Sequence, residues 1–211
     1  MKLNREMFNQ KTLNTYDGAL KSMIDNIEIP EMAKTLEIGC SESEMSCILQ
    51  KLGYEAWGVD FNDWALKWGD LNFKFIKGNF QSVELPENYF DVVIDICALH
   101  HFGIGGYGEE KDLEADIKSS YKIYSCLKKG GVFYSSFDRF SEYFVEQSEG
   151  FFRQYNLEQF QKRVCEGKFK IEVYKYYKHS WDKATEYHEI ELTQNITEAK
   201  ILFVKMRKIG E

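Results

Sequence analysis

Apolar residues in this chain either cluster in short runs or recur at i, i+3, i+4 and i+7, and the two patterns alternate. Thr35–Ile38 is a short apolar run that stops at Gly39, and Met45, Ile48, Leu49 and Leu52 then lie on one helical face. Ser41 and Glu44 have the spacing of a capping box, and Gly53 closes the helix. A second run, EAWGV, ends at Asp60, so residues 35–60 predict a βαβ unit. Upstream, Ala19, Leu20, Met23, Ile24 and Ile27 predict a helix over Asp17–Asn26. Downstream, Trp64–Trp68 marks a short crossing helix and Phe73–Lys77 a third strand. The run YFDVVIDI, ending at Ile96, is apolar and β-branched enough for a strand covered on both faces. Leu113–Leu127 reads as an amphipathic helix whose buried face is Ile117, Tyr121, Tyr124 and Leu127, with Lys128 and Lys129 beside its negative end and Gly130-Gly131 as its cap. VFYSSF, ending at Phe137, is a fifth strand; Asn156–Cys165 is a helix capped by Asn156; Phe169–Tyr177 and Lys200–Met206 are two more strands. His179, Trp181 and His188 stand in the polar excursion between those two.

At 211 residues the chain accommodates one α/β domain, and no linker or repeat divides it. Its parts are a cap region over residues 1–30, a core over 31–137 and a closing segment over 138–211. The net charge of −7, with no run of Lys or Arg longer than two, argues against a nucleic-acid surface. Five cysteines without a C-x-x-C pair fit neither a zinc knuckle nor a redox motif, and they read as free thiols in a reducing cytoplasm. No apolar run is long enough to span a membrane, and no signal peptide is evident, so the expectation is a soluble, cytoplasmic protein.

Chemistry enters at the first turn. A glycine after the first strand and an acid about twenty residues later form a nucleotide-binding layout, with Asp60 placed to take two ribose hydroxyls. A dinucleotide would seat its pyrophosphate on the helix N-terminus. Here Glu37, Glu42 and Glu44 crowd that turn. One carboxylate about 6 Å from a phosphate charge costs ~2–3 kcal/mol at an effective dielectric near 20. S-adenosylmethionine has no phosphate, and its sulfonium and ammonium suit an acidic turn. The stretch EIGCSES…VD resembles the first two motifs of the class I S-adenosylmethionine-dependent methyltransferases, with Ser41 and Ser43 where that family has its second and third glycines.

This resemblance implies a Rossmann-like αβα sandwich with a seven-stranded, mostly parallel sheet and an antiparallel last strand. It also implies S-adenosylmethionine as cofactor, held by Tyr16, Glu37, Gly39, Cys40, Ser41, Asp60, Phe61, Asn79, Phe80 and Ile96. Asn79 replaces the family's usual acid near the adenine amino group, and Phe61, Trp64 and Phe80 are adenine neighbours or plain core residues. The succession HHFGIGGYG…DIK…LKKGGVFYSSF resembles a subgroup met among bacterial surface-polysaccharide genes, with His101 at the place of that loop's histidine and His100 replacing its acid.

Methyl transfer to a hydroxyl needs alignment and a base near neutrality, and histidine suits the second task. His101 is the expected base, with His100 as substitute or partner. Tyr107, Asp138 and Arg139 are the expected substrate contacts. Adjacent histidines on a strand end point opposite ways, which disfavours a shared metal. The acceptor implied is a small polar molecule, such as a sugar, a nucleotide-linked sugar or a related surface-glycan precursor. The alternative is an inactive scaffold that kept the fold, with residues 140–152 as a lid or partner surface.

Overall fold

In the computed structural model, residues 3–15, 17–63, 73–138, 143–147, 152–178, 187–190 and 201–210 are described. Tyr16, Arg139 and the Trp64–Trp68 segment lie outside them. The chain opens with helices α1 (Gln10–Thr15) and α2 (Asp17–Asn26). It then alternates: strand β1 (Lys34–Ile38), helix α3 (Met45–Lys51), β2 (Glu55–Asp60), β3 (Lys74–Lys77) and β4 (Phe90–Ile96). A 3-10 turn, Leu99–His101, leads through a glycine-rich loop to α4 (Ala115–Cys126) and β5 (Leu127–Asp138). A two-stranded ribbon, β6 (Phe144–Glu146) and β7 (Phe152–Gln154), precedes α5 (Leu157–Phe160), which runs on as a π-helical turn over Gln161–Cys165. The chain closes with β8 (Phe169–Lys178), β9 (His188–Ile190) and β10 (Ile201–Lys208).

Eight strands form one sheet in the order β3-β2-β1-β4-β5-β10-β8-β9. The sequence predicts seven; the eighth is the three-residue edge strand β9. Strands β1 to β5 pair in parallel, and β10 inserts antiparallel between β5 and β8. The strand order reverses between β1 and β4, and the crevice outside their carboxyl ends is where open α/β sheets bind ligands.

The unbroken apolar run of β4 follows from its two covers. Val92, Ile94 and Ile96 pack in a core with Leu20, Met23 and Ile24 of α2 and with Ile48 and Leu49 of α3. Phe90 and Val93 pack in the opposite core with Ile123 and Cys126 of α4 and with Phe160 and Val164. This is a Rossmann-like three-layer fold.

Three local expectations are corrected. Ser41 and Glu44 form no capping box: α3 starts at Met45, and Glu44 sits before it with φ +60°, its carboxylate accepting from the Asn9 amide at 2.8 Å. The buried side of α4 is Ala115, Asp116, Ser119, Ser120, Ile123 and Cys126; of the expected face Leu127 is buried, Ile117 and Tyr124 are half-buried, and Tyr121 is 59% exposed. A helix lying on a sheet takes small residues inward, and Ser120 satisfies its hydroxyl on the Ile117 carbonyl at 2.7 Å. Gly130 and Gly131 lie inside β5 rather than capping α4, which ends at Leu127 as its C-cap.

Candidate active site

Two buried carboxylates near the ends of the central strands shape the turns beyond them. Glu37 of β1 accepts the Ser46 amide at 2.9 Å, the Ser46 hydroxyl at 2.6 Å and the Ser43 hydroxyl. It therefore caps α3 from the strand, in place of the predicted box. Burial pushes its carboxyl up to about 7, although the serine donors pull the other way. Asp95 of β4 accepts the Ala98 and Leu99 amides at 3.0 and 2.9 Å and the Ser135 hydroxyl at 2.6 Å, so it fixes the 3-10 turn that carries both histidines. Burial raises it to about 6. Its signal in the sequence was an acid inside an apolar run.

Between these turns lies a cavity of about 820 Å³, counted with its open mouth. Gly39, Ser41, Asp60, Phe61, Asn79, Phe80, Ile96, His101 and Tyr107 all line it. Gly39 has φ +69°, and a Cβ there would stand 2.2 Å from the Ala98 Cβ, so only glycine lets the two turns meet. Asp60 accepts the Ser41 amide on one oxygen at 3.0 Å and the Asn62 amide on the other at 2.8 Å. The Ser41 side chain is a third donor, so about one of the Asp60 carboxylate's four lone-pair sites is left for a ligand hydroxyl. Burial raises its pKa against those donors. Asn79 accepts the Gln81 amide at 2.9 Å and lines the cavity.

The remaining predicted site residues lie elsewhere. Glu37 and Cys40 are buried and absent from the cavity wall. His100 is 6% exposed and packs near Phe137 and Phe152, with ring centroids 6.5 and 6.4 Å away. Burial, then the neighbouring His101 and Arg153, hold His100 well below the ordinary imidazole range, so it stays neutral and off the wall. Asp138 is half-buried beside Cys97, whose thiol is pushed up by burial and by that carboxylate. Of residues 140–152, expected as a lid or partner surface, 140–142 and 148–151 lie outside the described residues, Phe144 is exposed, and Phe152 packs near His100.

Sequence reasoning placed Glu42 at this turn but missed Val59, Asn62, Gly78, Gln81, Cys97, Ala98, Phe102, Gly103 and Glu109 as wall residues. Glu109 is informative: its carboxylate accepts the Gly105 and Tyr107 amides at 2.8 and 2.9 Å and folds the glycine loop back on itself. No group of His, Cys, Asp and Glu among the described residues is arranged to hold a metal.

The wall fits S-adenosylmethionine. Its charged members among the described residues are Glu42, Asp60 and Glu109, with no Lys or Arg, which favours a sulfonium over a diphosphate. The model of a family described as a methyltransferase domain matches residues 36–135, the stretch that builds this cavity. No curated protein matches the sequence. Among solved structures, the fold is similar to Burkholderia thailandensis 1,6-didemethyltoxoflavin-N1-methyltransferase with bound 1,6-didemethyltoxoflavin and S-adenosylhomocysteine, at TM-score 0.65 and 16% identity over 92% of this chain and 78% of that one. It is also similar to PH0226 protein from Pyrococcus horikoshii (TM-score 0.64, 15% identity, 97% and 94% covered). A third likeness is to an S-adenosylmethionine-dependent methyltransferase from Mesorhizobium loti (TM-score 0.61, 15% identity, 90% and 95% covered). The domain match over residues 36–135 falls on the Rossmann-like sheet order and on the cavity at its reversal. A methyltransferase-domain match on this fold and cavity supports an S-adenosylmethionine-dependent methyltransferase.

Proposed function

We propose that the protein methylates a hydroxyl of a small, uncharged polar acceptor of the sugar or surface-glycan-precursor class, with His101 as general base. The observation that carries this reading is that His101 and Asp60 line one cavity at the reversal of strand order. S-adenosylmethionine supplies an activated methyl group on a sulfonium that leaves as a neutral thioether. Asp60 takes a ribose hydroxyl, Gly39 gives close approach, and Phe61, Asn79 and Phe80 receive the adenine. On the other side, Tyr107 borders the acceptor and His101 accepts the hydroxyl proton as the new O–C bond forms. Among the sugar-type acceptors, a free or glycosidic sugar suits the wall better than a nucleotide-linked one, whose diphosphate would face Glu42, Asp60 and Glu109. The open, correctly walled cavity also speaks for an enzyme over an inactive scaffold.

The test is transfer of labelled methyl from S-adenosylmethionine to a panel of neutral sugars, sugar nucleotides and amines. His101→Ala is expected to lower kcat by roughly 10²–10⁴-fold while S-adenosylhomocysteine affinity is kept. Transfer to amines alone, or wild-type turnover by His101→Ala, would overturn the assignment.

A further inference from the structure

Two arginines from the segment after β5 converge beneath the loop that carries His101 and Tyr107. Arg153 of β7 and Asp116 of α4 are both fully buried, at 0% exposure. Arg163 grips Asp116 with two bonds, Nε to Oδ2 and Nη2 to Oδ1, each 2.7 Å, and Tyr155 donates its hydroxyl to Oδ2 at 2.5 Å. These donors suffice to neutralise and saturate the carboxylate. Arg153 is then a second guanidinium for one acid. Its Nε stands 3.6 Å from Asp116 and makes no hydrogen bond.

Arg153 instead spends its donors on the loop. Nη1 donates to the Phe102 carbonyl and Nη2 to the Leu113 carbonyl, both at 3.3 Å. Those carbonyls are the two ends of the segment between the 3-10 turn and α4. Just inside them, the Asp112 amide donates to the Gly103 carbonyl at 2.9 Å, and a Cβ on Gly103 would come within 2.2 Å of the Asp112 carbonyl oxygen. The neck of the loop is therefore closed by one backbone bond and one planar fork. Arg163 reinforces one side only, through Nη2 to the Leu113 carbonyl at 2.7 Å. Stability alone is a poor reason for this arrangement, because a buried ion is costly and apolar replacements of buried ion clusters are often neutral or stabilising.

We propose that Arg153 is a positioning residue for methyl transfer: it ties Phe102 to Leu113 and so sets where His101 and Tyr107 stand on the cavity wall. The inference rests on reading the His101 side of the cavity as the acceptor side. It gives the segment after β5, which carries no motif of its own, a task in the reaction.

The experiment is amide hydrogen exchange on ligand-free wild type, Arg153→Met and Arg153→Lys, with the His101 ring titrated by NMR in each. Residues 103–112 of Arg153→Met should exchange about tenfold faster or more, with β4 unchanged, as expected for local opening of one loop. Affinity for S-adenosylhomocysteine should stay within about twofold, because the cofactor side is untouched. Arg153→Lys keeps the cluster's charge but one ammonium cannot bridge both carbonyls in a plane. Faster loop exchange and a displaced His101 midpoint in that variant thus report position rather than charge. Wild-type loop exchange and an unmoved His101 midpoint in either folded variant would overturn the proposal. So would failure of both variants to fold, which would make Arg153 a plain core residue. A wild type that binds no S-adenosylhomocysteine would instead sink the reading of the cavity, and the loop measurements would stand apart from it.

Discussion

At the scale of single residues, the two shape-giving carboxylates make stability depend on pH in a way that can be separated by mutation. Glu37 has its pKa raised from 4.5 to about 7 by burial, and Asp95 from 3.8 to about 6. For such groups the folded state holds its proton more tightly than the unfolded one. Their favourable contribution is full below the unfolded pKa and is lost as pH rises through the folded pKa. His100 works against them: kept neutral by burial, it costs stability as pH falls below the ordinary imidazole range. A pH profile of the wild type alone mixes these slopes, so the difference from one variant is needed. Glu37→Gln keeps an oxygen for the Ser46 amide and removes the buried charge. Relative to it, wild type should lose ~3 kcal/mol between pH 4.5 and 7, from a shift of that size at ~1.4 kcal/mol per unit. Urea unfolding of both proteins at pH 5, 6, 7 and 8 measures this. A constant difference across those pH values would mean that Glu37 is not buried as described.

At the scale of elements, what the sequence revealed and what it hid have different causes. The strands and α2 were legible because their side chains feed two apolar cores, and burial imposes a period that survives in the residue order. The start of α3 was misread because Ser41 and Glu44 have box spacing, whereas the cap comes from Glu37, a residue distant on the helix scale and visible only once β1 is beside α3. The inner face of α4 was misread because Ser119 and Ser120 look exposed in a polar pattern, while tyrosines, which can cover a surface with a wet hydroxyl end, look buried. Spacing singled out Asp60 and Gly39, and a loop resemblance His101, all of which line the cavity; the Asp116–Arg153–Arg163 cluster was hidden because its members are joined only by the fold. The meeting of the β1 and β4 turns gives an element-scale prediction. Gly39→Ala forces a positive φ on alanine and drives its Cβ into Ala98. It should cost about 2–4 kcal/mol, the sum of a left-handed alanine and an overpacked contact. Adding Ala98→Gly removes the clash but not the backbone strain, so the double variant should recover about 1 kcal/mol or more, with cofactor affinity recovering in parallel. Strictly additive losses would show that the turns do not press on each other.

At the scale of the whole molecule, the sheet reversal, the acidic wall and the −7 net charge act together on the choice of ligand. The Rossmann-like frame alone is shared with dinucleotide-binding proteins, so discrimination must come from the charges. The expectation placed those charges on Glu37, Glu42 and Glu44. In the structure Glu37 is turned into the helix cap and Glu44 is engaged by the Asn9 amide, and the wall keeps Glu42 together with Asp60 and Glu109. The charge argument thus survives with a changed membership. Its consequence is measurable without knowing the acceptor. A ligand that binds only the folded state at about 100 times its Kd stabilises by ~2.7 kcal/mol. For a chain of this length each kcal/mol is worth about 2–4 °C, so S-adenosylhomocysteine at that excess should raise Tm by about 5–10 °C. NAD at the same concentration should leave Tm unchanged, because its diphosphate meets carboxylates instead of a bare helix N-terminus. Asp60→Asn weakens that repulsion and the proposed grip on ribose at once, so it should shrink the S-adenosylhomocysteine shift without creating one for NAD, since Glu42 and Glu109 remain. A rise in Tm with NAD on the wild type would show that the wall does not select by charge.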